Sequence, residues 1–182
     1  MLDITVPHEY TVEQKNEGSI RWKRLGLLAL YILYPAALIF IVGSEMHLFA
    51  SLLALIPLSL WIIIFLTWRY VNISYQYVIT SGRLTFIKHY GARTHKKQFE
   101  VALKEAKLIA PVGIREHEER RELFDPEITY CGLSSKNAPD QYYIAFENEN
   151  GQRCVFFFEA TKKTLELCKM YFPGTVVTQV RY

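Results

Sequence analysis

Two long stretches of this chain contain no charge at all. No Asp, Glu, Lys or Arg occurs from Leu25 to Val42 or from Leu48 to Trp68. That absence excludes a pair of ordinary surface helices, which keep a polar face toward water. The link between the runs, Gly43 to His47, has no Lys or Arg. Cysteine is scarce: Cys131, Cys154 and Cys168, with no CxxC pair. In a reducing compartment such thiols read as small buried side chains, not disulfides. The five histidines show no ligand spacing, so no metal site is expected. A phosphate-cradling glycine loop, a nucleophile elbow and a zinc-protease helix are all missing. The net charge is only +3, without the concentrated basic face that nucleic acid requires. The expectation is therefore no enzyme, no cofactor, no metal and no nucleic-acid partner.

What is present begins with those two apolar runs. They hold roughly 18 and 21 residues, or about 27 and 31 Å as helix, against about 30 Å of bilayer hydrocarbon. Both read as transmembrane helices, and the short link makes them an antiparallel hairpin. Trp22, Trp68 and Tyr70 then fall at one interface, the level that indole and phenol rings prefer. Pro35 and Pro57 predict kinks. Small residues at Ala29, Ala36, Ala37 and Gly43, and at Ala50, Ala54 and Ser59, predict close backbone approach. A retained anchor fits better than a cleaved signal, because a second span follows at once. Lys15, Arg21, Lys23 and Arg24 precede the first run and Arg69 follows the second. Basic residues stay inside, so both termini are expected in the cytoplasm of a plasma-membrane protein.

The chain divides by composition into residues 1–24, an N-terminal arm; 25–68, the hairpin; and 69–182, a cytoplasmic β domain. The first 20 residues allow either a short strand or a disordered arm. After Arg69 the pattern turns alternating and aromatic. Asn72 to Thr80 and Arg83 to Tyr90 predict a hairpin about Ser81-Gly82, followed by strands over Thr94 to Val101 and Ala106 to Val112. No linker separates Trp68 from the first of these strands, which places the domain against the membrane.

Residues 113–139 form an insertion. Its dense run Arg115 to Glu122 predicts a solvated helix with local ion pairs, stopped at Asp125-Pro126. Ile128 to Leu133, Gln141 to Glu147 and Arg153 to Glu159 predict further strands, the last two joined at Asn150-Gly151. Leu165, Cys168 and Phe172 share one face of a closing helix capped by Thr161. Val176 to Val180 suits a last strand or a packed tail. The fold class expected is a membrane helical hairpin plus a mainly-β (α+β) domain of antiparallel strands.

The segment Tyr77-Val78-Ile79-Thr80-Ser81-Gly82-Arg83-Leu84 resembles the first hairpin of bacterial pleckstrin-homology-like (PH-like) domains, where a Tyr-x-Ile-Thr-x-Gly-x-Leu pattern is common. Val101-Ala102-Leu103 through Leu108-Ile109 is similar to the segment that follows it there, and the Thr161 to Phe172 helix stands in the corresponding place. Together with the helical hairpin, the chain resembles bacterial two-span membrane proteins of unknown function that carry such a domain. The resemblance implies a PH-like split barrel closed by a C-terminal helix.

One stretch suggests binding. Lys88, His89, Arg93, His95, Lys96 and Lys97 crowd a predicted hairpin tip with no acid among residues 88–97. Each Lys or Arg near anionic lipid contributes about 1 kcal/mol, and PH domains often bind inositol phosphates near their first loops. The expected partners are the phospholipid bilayer, anionic headgroups, and a protein partner or a second copy. The run Val155 to Phe158 adds a further expectation. Neighbours in a strand face opposite sides, so one apolar set needs cover from a helix, a partner chain or lipid.

Overall fold

The computed structural model describes residues 7–42, 46–91 and 94–180, and leaves aside the side chains of residues 41–54. The Gly43 to Glu45 part of the predicted loop therefore lies outside the described residues. The chain forms two compact units. One takes the first strand up to Gln14, Ser74–His89 and His95 onward; the other takes Lys15–Ile73 and Tyr90–Thr94.

The helical unit contains α1 (Gly18–Val42) and α2 (Met46–Trp68), each continuing through its proline. They pack on each other through hydroxyls. Tyr31 OH lies 2.5 Å from Thr67 Oγ1, and Tyr34 OH donates to Ser59 Oγ at 2.9 Å. As α1 advances from Tyr31 to Tyr34, its partner on α2 falls back from Thr67 to Ser59, so the helices are antiparallel. Ser59 was expected at this contact as a small residue; the two tyrosines opposite were not. Thr67 and Ser59 also bond their own helix at Ile63 O and Ile56 O. Every hydroxyl in this seam is therefore satisfied without water.

Among the described residues one helix, Gly18–Phe40, is long and apolar enough to cross a membrane, with mean hydropathy 1.5. Only 6% of its apolar 18-residue stretch is buried. Leu55–Trp68 is a shorter apolar helix.

Among the described residues the sheet unit holds eight strands. β1 (His8–Glu13), β2 (Ile73–Thr80), β3 (Arg83–Tyr90) and β4 (Thr94–Ala102) form one sheet in that order. After a 3-10 turn at Leu103–Glu105 come β5 (Leu108–Pro111), α3 (Arg115–Phe124), β6 (Ile128–Cys131), β7 (Gln141–Glu147), β8 (Arg153–Glu159) and α4 (Lys162–Tyr171). The second sheet has the order β5-β7-β8-β6.

The N-terminal segment departs from the expected boundary at residue 24. Its strand β1 pairs antiparallel with β2, from His8 against Ile79 to Glu13 against Ser74. The helical hairpin is thus spliced into the connection between two paired strands. Thr11, Glu9 and Glu13 face out while Val12 is buried, too weak an alternation to be read over six residues.

The two sheets bury an aromatic core. β2 alternates Tyr75, Tyr77 and Ile79 inward, and β3 adds Leu84 and Phe86. Phe86 meets Phe156 of β8 at 4.5 Å between ring centres, and Phe99 meets Phe146 of β7 at 4.8 Å. Tyr77 stands edge-on to Phe158 at 5.7 Å. Its hydroxyl donates to the Glu159 carbonyl, which satisfies the polar end of a wholly buried ring. The described strands form two sheets, and a closed barrel is not shown among them.

The second sheet corrects the expectation of antiparallel pairing throughout. β6 runs parallel to β8. Since β5 is antiparallel to β7, and β7 to β8, β5 and β6 are parallel to each other. Parallel strands need a crossover, commonly a helix. The charged insertion is that crossover, and α3 is its helix. It keeps the predicted ion pairs, Arg115–Glu119 at 2.9 Å and Arg120–Glu116 at 2.7 Å.

The crossover also answers the question raised by Val155 to Phe158. Phe156 and Phe158 enter the core between the sheets. Val155 joins Ala110, Tyr143 and Ala145 on the other face, packed against Phe157, Phe124 of α3 and Val176 of the C-terminal tail. Arg121 lies over the Phe157 ring at 5.4 Å. The chain covers this face itself. The tail is not a strand; Val176 N bonds Ile109 O at 3.0 Å. α4 follows the expected cap, with Thr161 Oγ1 accepting from Thr164 N at 3.2 Å.

Phe156 packs against the rings of Tyr77, Phe86, Phe99 and Phe158 and is fully buried. Phe156→Ala is expected to lower the unfolding free energy of the sheet unit by about 3–5 kcal/mol. Leu123→Ala, at a side chain 84% exposed, should change it by under about 0.5 kcal/mol. Denaturant titration followed by tryptophan-independent circular dichroism measures both.

Candidate functional site

The basic hairpin tip is built by β3 and β4, and its residues divide between different partners. Lys88 is half-buried, with its ammonium 5.8 Å from the centre of the Tyr75 ring. His89 Nε2 lies 2.8 Å from Gln76 Oε1. An amide oxygen only accepts, so His89 carries its proton on Nε2. Gln76 Nε2 in turn donates to Glu9 Oε2 at 3.1 Å. The rings of His89 and His95 lie 5.9 Å apart. A polar strip therefore crosses the sheet with one residue from each strand: Glu9, Gln76, His89 and His95.

Lys96 is exposed, and its carbonyl accepts from Gln98 Nε2 at 3.2 Å. Lys97 bonds Glu100, and Arg83 reaches the same carboxylate at 3.0 Å. Arg93 lies outside the described residues. The six candidates are thus not one free cationic patch. Glu100 compensates Lys97 and Arg83, and Lys88 turns toward an aromatic face. What remains is an exposed edge at His95 and Lys96, beside a Lys97 shared with Glu100.

The turn of this hairpin belongs to the helical unit. Gly91 N donates to Asn72 O at 2.7 Å, and a Cβ on Gly91 would sit 3.4 Å from the Arg69 Cβ. Gly91 has φ +64°, a conformation that other residues adopt at a cost. The turn is therefore fitted to the segment leaving α2. Arg24 of α1 closes the same segment, its Nη2 donating to Val71 O at 3.2 Å. Arg69 donates to Tyr70 OH at 2.8 Å and lies over that ring. Sequence reading marked Tyr90-Gly91 as a turn but missed its seat. It also missed Arg83 and Glu100, because residues three apart in a strand are not expected to share a face.

Among the described residues no three His, Cys, Asp or Glu side chains group as metal ligands. Burial pushes the Cys168 thiol up to about 12 and raises that of Cys154, which keeps both unreactive. Cys131 is exposed. An open cleft beneath α3 is lined by Arg121, Pro126, Thr129 and Phe157, but Arg121 is already held by Glu118 at 2.5 Å.

Hydrogen bonds from Lys97, then Arg83, hold the Glu100 carboxyl below its ordinary value of 4.5. Such a group stabilises its surroundings above the unfolded value and loses that effect as pH falls through the lowered folded value. A carboxyl-detected NMR titration should place the Glu100 midpoint below that of an isolated glutamate, and Lys97→Ala should raise it. An unchanged midpoint in the variant would contradict the pairing.

No curated protein matches the chain, and no solved structure does. A family model does, over residues 7–178, and this range takes in the first strand, both long helices, both sheets and the closing helix. The chain belongs to the family described as bacterial PH-like domain (DUF6106).

Proposed function

We propose that this chain is a non-enzymatic, membrane-anchored interaction module: a helical hairpin in the plasma membrane holding a PH-like domain at the inner leaflet. The observation that carries the reading is the uncovered apolar surface of Gly18–Phe40. Leaving Leu, Ile or Phe side chains in water costs about 1.5–3 kcal/mol each relative to burial. Ile32, Leu33 and Phe40 are among those left bare, at 71%, 64% and 88% exposure. Hydrocarbon is the cover that suits a helix apolar on all sides. Trp22 and Tyr70, exposed at the helix ends, suit the headgroup level. The basic residues around both ends favour the cytoplasmic side for the domain and for both termini. Alkaline carbonate washing of membranes containing the full chain tests the anchor. The chain is expected in the pellet; release into the aqueous phase without detergent would overturn the reading.

A second reading is supported by the basic stretch at residues 88–97, which contains no acid and in which Lys96 is exposed. This suits contact with anionic headgroups. In nanodiscs, replacing phosphatidylcholine with phosphatidylglycerol should slow acetylation of Lys96 and Lys97, and added salt should restore it. Equal labelling in both lipids would remove this reading.

A further inference from the structure

The β1-to-β4 sheet ends on two strands that, among the described residues, each pair on one side only. A strand edge offers unpaired N–H and C=O groups, and proteins guard it with charge. Here the two edges carry opposite signs. β1 exposes Glu9 and Glu13 with Thr11 between them. β4 exposes His95, Lys96 and Lys97; its single acid, Glu100, is paired with Lys97, and the strand keeps a net positive charge. Two β4 edges brought together set lysine against lysine, and two β1 edges set glutamate against glutamate. Only the unlike edges attract.

Strand direction allows the same pairing. β1 is antiparallel to β2. The turn at Ser81-Gly82 makes β3 antiparallel to β2, and the three residues between β3 and β4 are too few for the crossover that a parallel neighbour needs. β1 and β4 therefore run in opposite directions, and a second β1 laid on β4 continues the alternation. In the register with Glu9 opposite Lys97, Thr11 falls opposite His95. Opposite charges facing each other across strands add to the main-chain bonds.

We propose that copies of this chain associate head to tail, the acidic β1 edge of one on the basic β4 edge of the next. The inference rests on the sheet unit being an interaction module, and it names the partner as a second copy. The two surfaces differ, so the assembly passes beyond the dimer or closes into a ring.

Full-length chain in its membrane tests this. Cys131→Ser removes the exposed native thiol, while Cys154 and Cys168 are buried. Thr11→Cys and His95→Cys then report the contact and leave the four charges in place. With a short bismaleimide, the variant carrying both cysteines should give a ladder of trimers and above. Each single variant should stay monomeric, and a mixture of the two should stop at dimers. Glu9→Lys with Glu13→Lys should reduce the ladder several-fold, and adding Lys96→Glu with Lys97→Glu should restore it. Monomers from the double-cysteine chain, homotypic dimers from a single variant, or a ladder indifferent to charge reversal would each overturn the proposal. Carbonate washing of the same samples separates the two readings. Loss from the membrane counts against the anchor, whereas a retained monomer counts against edge pairing alone.

Discussion

Most of the apolar surface of α1 is left uncovered by the described residues, and that constraint shapes the rest of the chain. The helices are not appended to one end of the β fold. They sit in the connection between β1 and β2, with only residues 14–17 before α1 and 69–72 after α2. Those two strands pair along their length, with Glu13 against Ser74 at the end nearest the helices. Both ends of the helical pair therefore lead into the same ladder.

The sheets manage without outside help. Their shared core is aromatic, from Tyr77 and Phe86 to Phe99, Phe146, Phe156 and Phe158. The outer face of the second sheet is closed by the β5-α3-β6 crossover and the tail at Val176. A charged helix serves as cover because its long side chains lie flat: Arg121 spans Phe157 and Tyr143 while its guanidinium is paired with Glu118. Among the described residues, the bare flank of α1 and the strand edges of the first sheet are left without such cover.

Much of this was legible in the sequence. Absence of charge from Leu25 to Val42 marks α1, and the Tyr77 to Leu84 pattern marks both the first hairpin and the family. Thr161 and the spacing of Leu165 and Cys168 mark α4. Other features lay beyond it for physical reasons. β1 holds one buried apolar side chain among polar ones, and only its partner β2 shows that it is a strand. The parallel β6–β8 pair follows from where α3 delivers the chain, which no local pattern encodes. At the basic tip, composition located the cations correctly but not their partners. Glu100, Gln76 and Tyr75 are brought to Lys97, His89 and Lys88 by pairing and backbone twist. Charge counted along a line overstated the free charge on the surface.

The central claim is that lipid surrounds the bare flank of the helices spliced between β1 and β2. Spin labels placed singly at Ile32 and Leu55, in chain carrying Cys131→Ser and reconstituted in bilayers, test it most directly through their collision rates with oxygen and with a water-soluble nickel chelate. Oxygen should dominate at both sites, as it does in hydrocarbon. Free access of the nickel chelate to both would place these side chains in water or at a wet protein surface, and would contradict the account.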